Sequence, residues 1–299
     1  WTRAAGRPVD GDVDIDVLDS GPLVGRVVVR RRVGPSTFEI TYEMRAGSPE
    51  LRIHVDIDWH HDEHLLSMAF PLDVRADEAS CDVQFGVTRR PTHPSSPWDA
   101  AKFEVCAHRF VDLSEPSFGV AVLNDGRYGH GLFDGAVRVS LARAAKYPDP
   151  HADHGRHRLT LALLPHGPGL RAVRAAAGLL NSPPRLVLNG SSETEPIQLV
   201  RVEGTGGTDP GVGVDAVKPA DDGSGDLVVR FHEACGDRTR VTVATDARIS
   251  AASRCNLLEE PQSGEEVSDG VVVLTLRPFE LVTLRLQRAE IFDGRDRVV

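Results

Sequence analysis

Between residues 51 and 59 the chain alternates strictly: Leu51, Ile53, Val55, Ile57 and Trp59 are apolar, and Arg52, His54, Asp56 and Asp58 between them are polar. Successive side chains of a β-strand point to opposite faces, so a strand puts all five apolar residues on one side and leaves the polar ones in water. The same period of two runs through 23–30 (LVGRVVVR), 102–113 (KFEVCAHRFVDL), 118–124 (FGVAVLN), 136–142 (AVRVSLA) and 157–164 (HRLTLALL). Six one-sided strands need a second layer to cover their apolar faces, which predicts a large sheet or sandwich. The 28 glycines and 20 prolines supply the tight turns that such a fold requires.

One segment has helical spacing instead. In GLRAVRAAAGLL, 169–180, Leu170, Val173, Ala177 and Leu180 fall on one face among helix-favouring alanines, and Pro183 and Pro184 then stop the helix. The acidic excess of the chain is concentrated beyond this point, so the boundary between two domains is set here. The segments 203–213 and 219–226 are polar and rich in glycine, hence loops or hairpin tips. Strands resume at 226–234, 238–245, 270–276 and 279–287, with the lengths and separations of a second, smaller antiparallel sandwich. The resulting reading is all-β, with a large β-sandwich over 1–168, a connecting helix and linker over 169–182, a small sandwich over 183–290 and a tail over 291–299.

A formal charge of −10 makes nucleic acid a poor partner, because a polyanion meets net repulsion. No apolar run is long enough to cross a bilayer, so no membrane is expected either. Cys81, Cys106, Cys235 and Cys255 form no C-x-x-C pair and are too sparse for a disulfide framework, so free thiols in a reducing cytoplasm are expected.

Histidine carries the suggestive chemistry. The run HVDIDWHHDEH holds His54, Asp56, Asp58, His60, His61, Asp62, Glu63 and His64, residue types that bind divalent metals. Their spacing along one polar strand face leading into a turn reads as a solvated surface rather than a convergent ligand set. A second cluster, YPDPHADHGRH, offers Asp149, His151, Asp153, His154, Arg156 and His157 just before a strand. The loop 90–99 adds Arg90, His93, Trp98 and Asp99, and the loop 123–131 adds Asn124, Asp125, Arg127, Tyr128 and His130. Aromatic faces beside carboxylate, amide and guanidinium groups suit a sugar, which has an apolar C–H face and a rim of hydroxyls. No G-x-S-x-G, P-loop or strand-borne G-x-G-x-x-G occurs, and no carboxylate pair can be singled out among 44 acids.

Two stretches resemble a known family. RPTHPSSPWDAAKFEVCAHRFVDLSEPSFGVAVLNDGRYGHG followed by KYPDPHADHGRHRLTLALLPH is similar to the C-terminal region of glycoside hydrolase family 38 α-mannosidases, in the branch shared by cytosolic, vacuolar and bacterial enzymes. LVVRFHEACGDRTRVTV, SRCNLLEEP and LRPFELVTLRL resemble that family's terminal β-domain, and the likeness spans residues 50 to 290 in order. It implies a galactose-mutarotase-like β-supersandwich followed by the small sandwich. It further implies a retaining, metal-dependent α-mannosidase that releases terminal α-linked mannose from oligosaccharides.

In that family a divalent metal, zinc or cobalt, and the nucleophilic Asp belong to an N-terminal catalytic domain. H-x-D occurs here at 54–56 and 151–153, without the surrounding motif, so no catalytic or metal residue is carried over and the chain alone is expected to be inactive. The resemblance implies substrate contacts from Arg156, Asp153, His157, Asn124, Asp125 and Tyr128, with the guanidinium donating to sugar hydroxyls and an Asp fixing it. His151 and His154 depart from the family pattern. The implied partners are a mannose-containing oligosaccharide, the enzyme's own N-terminal domain and, as in other members, further copies of the protein. The alternative is a free-standing carbohydrate-binding or scaffold module.

Overall fold

A computed structural model of the chain describes residues 6–133, 135–186, 198–204, 211–246 and 249–287. The fold is mostly antiparallel β and separates into two compact units, residues 1–84 with 88–185 and residues 85–87 with 186–299.

The first unit contains β1 (Val13–Ser20), β2 (Val24–Val33), β3 (Ser36–Arg45), β4 (Leu51–Trp59), β5 (Leu66–Pro71), β6 (Glu78–Val83) and all but the first two residues of β7 (Gly86–Pro91). The short helix α1 (Pro97–Ala100) follows, then β8 (Val105–Cys106), β9 (Phe110–Ser114), β10 (Gly119–Asn124), β11 (Gly129–Gly131), β12 (Ala136–Ala142), β13 (Gly155–His166) and the helix α2 (Arg171–Asn181). Nine strands form one sheet in the order β1-β2-β3-β4-β13-β10-β9-β6-β7, and four form another, β5-β12-β11-β8. Ile53, Val55, Ile57, Val111, Val122 and Leu161 of the large sheet share one core cluster with Leu66, Phe70, Val137, Val139 and Leu141 of the small one, so the two sheets sandwich a common interior.

Strand β4 runs over the span its alternation predicts, and Ile53, Val55, Ile57 and Trp59 are buried. The run 102–113 is different: its alternation predicts one strand, but Val105–Cys106 pairs in the small sheet and Phe110–Ser114 in the large one. Between them the chain crosses the sandwich, held by His108 N donating to Asp82 O (2.8 Å) and Arg109 N to Asp82 Oδ2 (3.1 Å). Helix α2 buries Val173 and Ala177 and packs on β9, β10 and β13.

The second unit contains β14 (Arg201–Gly204), β15 (Val212–Pro219), β16 (Leu227–Glu233), β17 (Thr239–Ala244), β18 (Ala251–Cys255), β19 (Pro261–Glu265), β20 (Val267–Ser268), β21 (Val271–Leu276) and β22 (Leu281–Gln287). Two sheets, β14-β17-β21-β20 and β15-β16-β22-β18-β19, face each other over Val229, Phe231, Val241, Val272, Leu274 and Leu284. Glu233 is fully buried, and its carboxylate accepts from the backbone N–H of Cys235 and Gly236 (2.8 Å each) and Phe279 (2.9 Å), which locks the β16 end to the β21–β22 turn. The tail 291–299 and much of the loop 203–213 lie outside the described residues. All four cysteines are free, and burial pushes the Cys81 thiol up to about 12.

Candidate functional site

The candidate loops 123–131 and 149–157 meet at one end of β10 and β13. Strand β10 stops at Asn124, whose buried side chain accepts through Oδ1 from the N–H groups of Gly126 (3.0 Å) and Arg127 (2.7 Å). Asn181 Nδ2, at the end of α2, donates to Asn124 O (3.0 Å), so the helix end pins the same turn. Asn124 therefore shapes the loop from inside, and its side chain is not offered to solvent.

The turn positions Arg127, whose Nη2 lies 3.3 Å from His157 Nδ1, while His157 Nε2 lies 2.8 Å from Asp153 O. A guanidinium only donates and a carbonyl only accepts, so the two contacts suit an imidazole that accepts at Nδ1 and donates from Nε2. Asp153 holds φ +61°, a left-handed conformation that Asp tolerates better than most residues, and Gly155 follows at φ +109° to turn the chain into β13. Asp153 Oδ2 accepts from the backbone N–H of Arg143 (2.7 Å) and Ala144 (3.2 Å). Burial opposes its ionisation, but the two backbone donors together with nearby His157 and Arg127 outweigh burial and hold the carboxyl below its usual range.

At the tip of this scaffold the two histidine-rich segments converge. Asp62 accepts from Lys146 Nζ (2.7 Å) and His154 Nε2 (2.9 Å), and Glu63 N donates to Ala144 O (2.9 Å), tying loop 60–65 to loop 143–154. The hydrogen bond from Lys146 is the main reason Asp62 is held below the usual carboxylate range. The rings of His60 and His151 each stand 6.1 Å from that of His154. Tyr147, 89% exposed, and Tyr128, 55% exposed and 5.2 Å from His108, border these loops with open aromatic faces. Among the described residues no three His, Cys, Asp or Glu side chains are arranged to hold a metal ion, so these residues do not fit a metal centre.

Arg156 lies elsewhere. It alternates with His157 along β13 and so projects from the opposite face of the sheet. There its Nε and Nη2 donate to Asp56 Oδ1 and Oδ2 (2.7 and 2.6 Å), and Arg158 Nε donates to Asp56 Oδ2 (2.9 Å). The Arg156 hydrogen bonds, more than burial, bring Asp56 down to about 2. This pair borders a depression of about 750 Å3 that also takes in Asp14, Arg30, Glu39 and Asp58. Asp125 borders a second depression of about 350 Å3 on the polar face and accepts from Thr160 N (2.8 Å).

The six residues named from sequence thus divide. Asn124, Asp153 and His157 build the loop end, Tyr128 borders it, and Arg156 and Asp125 belong to the polar sheet face. The Asp that fixes Arg156 is Asp56, one hundred positions away in the chain. Its signal in the sequence is its place on the polar side of β4, and only the β4–β13 register, Arg158 opposite Asp56, makes the pair visible. The loop end presents fixed donors, acceptors and exposed aromatic rings side by side.

The chain matches two family models in order: the glycosyl hydrolases family 38 C-terminal domain over residues 5–151, and the family 38 C-terminal beta sandwich domain over residues 211–284. It is 37% identical to human alpha-mannosidase 2C1 over 288 residues, covering 94% of this chain and 27% of that protein. It is 33% identical to an alpha-mannosidase of Saccharomyces cerevisiae over 250 residues, covering 77% of this chain and 23% of the relative. The chain therefore spans about a quarter of the length of these relatives. The crystal structure of an alpha-mannosidase from Enterococcus faecalis superposes on 92% of this chain and 35% of its own with a TM-score of 0.74 at 18% identity, a likeness of fold.

Proposed function

Because the chain belongs to glycosyl hydrolase family 38, of which it carries the C-terminal region, we propose that it is the β-domain portion of a retaining, metal-dependent α-mannosidase acting on terminal α-linked mannose of oligosaccharides in the cytoplasm. The observation that carries this reading is the ordered match of both C-terminal family models along one chain, with a relative named alpha-mannosidase over 94% of it. Bond cleavage, and the zinc or cobalt ion that assists it, belong in this reading to the part of the whole protein outside these residues. The described residues do not form a site for that ion.

In the same reading the loop end faces the sugar. Tyr128 and Tyr147 offer flat apolar faces to the C–H side of a pyranose ring, and the Asp153–His157–Arg127 network keeps the loop in one shape. Arg156, paired with Asp56 on the other face, keeps the polar sheet surface in order.

The test is hydrolysis of an aryl α-mannoside by the whole protein and by the 299-residue chain, each with zinc or cobalt and with a chelator. Turnover by the whole protein alone, lost on chelation, is expected, and Asp153→Asn in the whole protein should raise KM several-fold with a smaller change in kcat. Metal-dependent turnover by the 299-residue chain overturns the assignment of chemistry to the missing part, and sugar binding with no hydrolysis by the whole protein favours a binding module.

A further inference from the structure

A second polar surface begins where the loop end stops. On β13 and β4, Arg156 stands opposite Asp58, Arg158 opposite Asp56 and Thr160 opposite His54. Their sequence neighbours Val55, Ile57 and Leu159 point into the core, so these six side chains share the outer face of the sheet. From Arg156 to Thr160 this surface runs about 13 Å along β13, at roughly 3.3 Å per residue. His60 joins it to the loop end: its Nε2 lies 2.8 Å from Asp58 Oδ1, and its ring stands 6.1 Å from that of His154. The depressions of about 750 Å3 and about 350 Å3 share Glu39 and Asp56 in their walls, which makes them one trough across β3, β4 and β13. Further along the same face the surface closes, because Val28 and Glu43 are buried there and Glu43 pairs with Arg26 (3.1 Å) and Arg45 (2.7 Å).

The chemistry of the trough selects its occupant. Acids and guanidinium groups alternate along it, so no single sign prevails to draw in a polyanion or a polycation. The ion pairs fix the long side chains without using all their capacity: Arg158 gives Asp56 its Nε, and its side chain remains 69% exposed. The side chains of Asp58 and His54 are 50% and 43% exposed, and the hydroxyls of Thr41 and Thr160 stand beside them. Held donors next to held acceptors match a neutral ligand whose own groups both donate and accept, which describes the hydroxyls of a sugar. A trough that leads away from the loop end suits a chain of sugar units rather than one ring. We propose that the outer face of β3, β4 and β13 is a distal subsite, holding the second and further units of a mannose-containing oligosaccharide whose terminal unit lies at the loop end. The proposal rests on the α-mannosidase reading above and adds to it a site that favours oligosaccharides over simple mannosides.

The test compares two substrates of the whole protein: a mannose oligosaccharide, and an aryl α-mannoside that lacks the further units. The ratio of their kcat/KM values, oligosaccharide over aryl mannoside, should fall about tenfold in Arg158→Ala, the worth of one hydrogen bond from a charged donor, and about threefold in Thr41→Val. The loss should lie in KM for the oligosaccharide. Thr41→Val leaves every ion pair of the face in place, so a fall there is not a consequence of releasing Asp56. A ratio that stays the same in both variants, or losses of equal size on the two substrates, overturns the proposal. If the whole protein hydrolyses neither substrate, the α-mannosidase reading falls, and titration of the oligosaccharide against the whole protein decides the trough by itself. Binding weakened about tenfold by Arg158→Ala then supports the subsite, and absent binding, or binding indifferent to the variant, overturns it.

Discussion

At Gly119 a Cβ would stand 2.3 Å from Ser114 Oγ and 2.7 Å from the ring of His166. The space is taken by a buried polar group: His166 Nε2 to Asp112 Oδ1 (2.7 Å), His166 Nδ1 to Gly167 O (2.7 Å) and Ser114 Oγ to Asp112 Oδ2 (2.8 Å). Gly119→Ala should therefore cost about 1–3 kcal/mol by overpacking, read as a lower urea midpoint at unchanged slope; an unaltered midpoint would count against this packing. His130 gives a second test. Burial, partly offset by the Tyr128 carbonyl, pushes its imidazole down to about 4, and its Nε2 is buried without a hydrogen-bond partner. The unfolded chain then binds a proton that the fold refuses, so the contribution is complete above the unfolded value near 6.5 and is lost as pH falls through about 4. Between these limits His130 should remove roughly 3 kcal/mol of stability. His130→Phe should flatten the stability curve over that window, and an equally steep variant would refute the assignment.

An element reports its two faces separately. In β4, Ile57 is buried in the core and Asp58, its neighbour, is exposed on the polar face beside His60. Ile57→Ala should cost about 2–5 kcal/mol and Asp58→Ala less than about 1 kcal/mol, both by denaturant unfolding. Comparable losses at the two positions would mean the strand is not one-sided. The same logic explains the run 102–113: alternation there gives the right period for both β8 and β9, but a period of two carries no mark of where a chain leaves one sheet for the other. That crossing depends on Asp82, which holds residues 108 and 109 from another strand.

For the whole molecule, each unit closes its own core, and each is built from a pair of facing sheets. The candidate site gathers residues from 60–65, 124–128 and 143–157 at one sheet end, so two histidine clusters separate in sequence become one surface. The mannoside assay belongs to this scale, because it asks whether the chemistry lies inside or outside the 299 residues. No helix among the described residues is long and apolar enough to cross a membrane.

The all-β class, about half of the strand positions and the helix near 170 are legible in the sequence, because a period of two or of 3.6 is a local consequence of backbone geometry, whereas strands without clear alternation, such as β15, are not. Family membership was also legible, from the likeness of two stretches of sequence in their order. Which polar residues meet is set by the fold in three dimensions. Arg156 and His157 are adjacent in sequence and face opposite sides, whereas Arg156 and Asp56 are one hundred residues apart and share a bidentate ion pair. Strand register and loop convergence set those contacts, and both depend on packing between segments that no local pattern records.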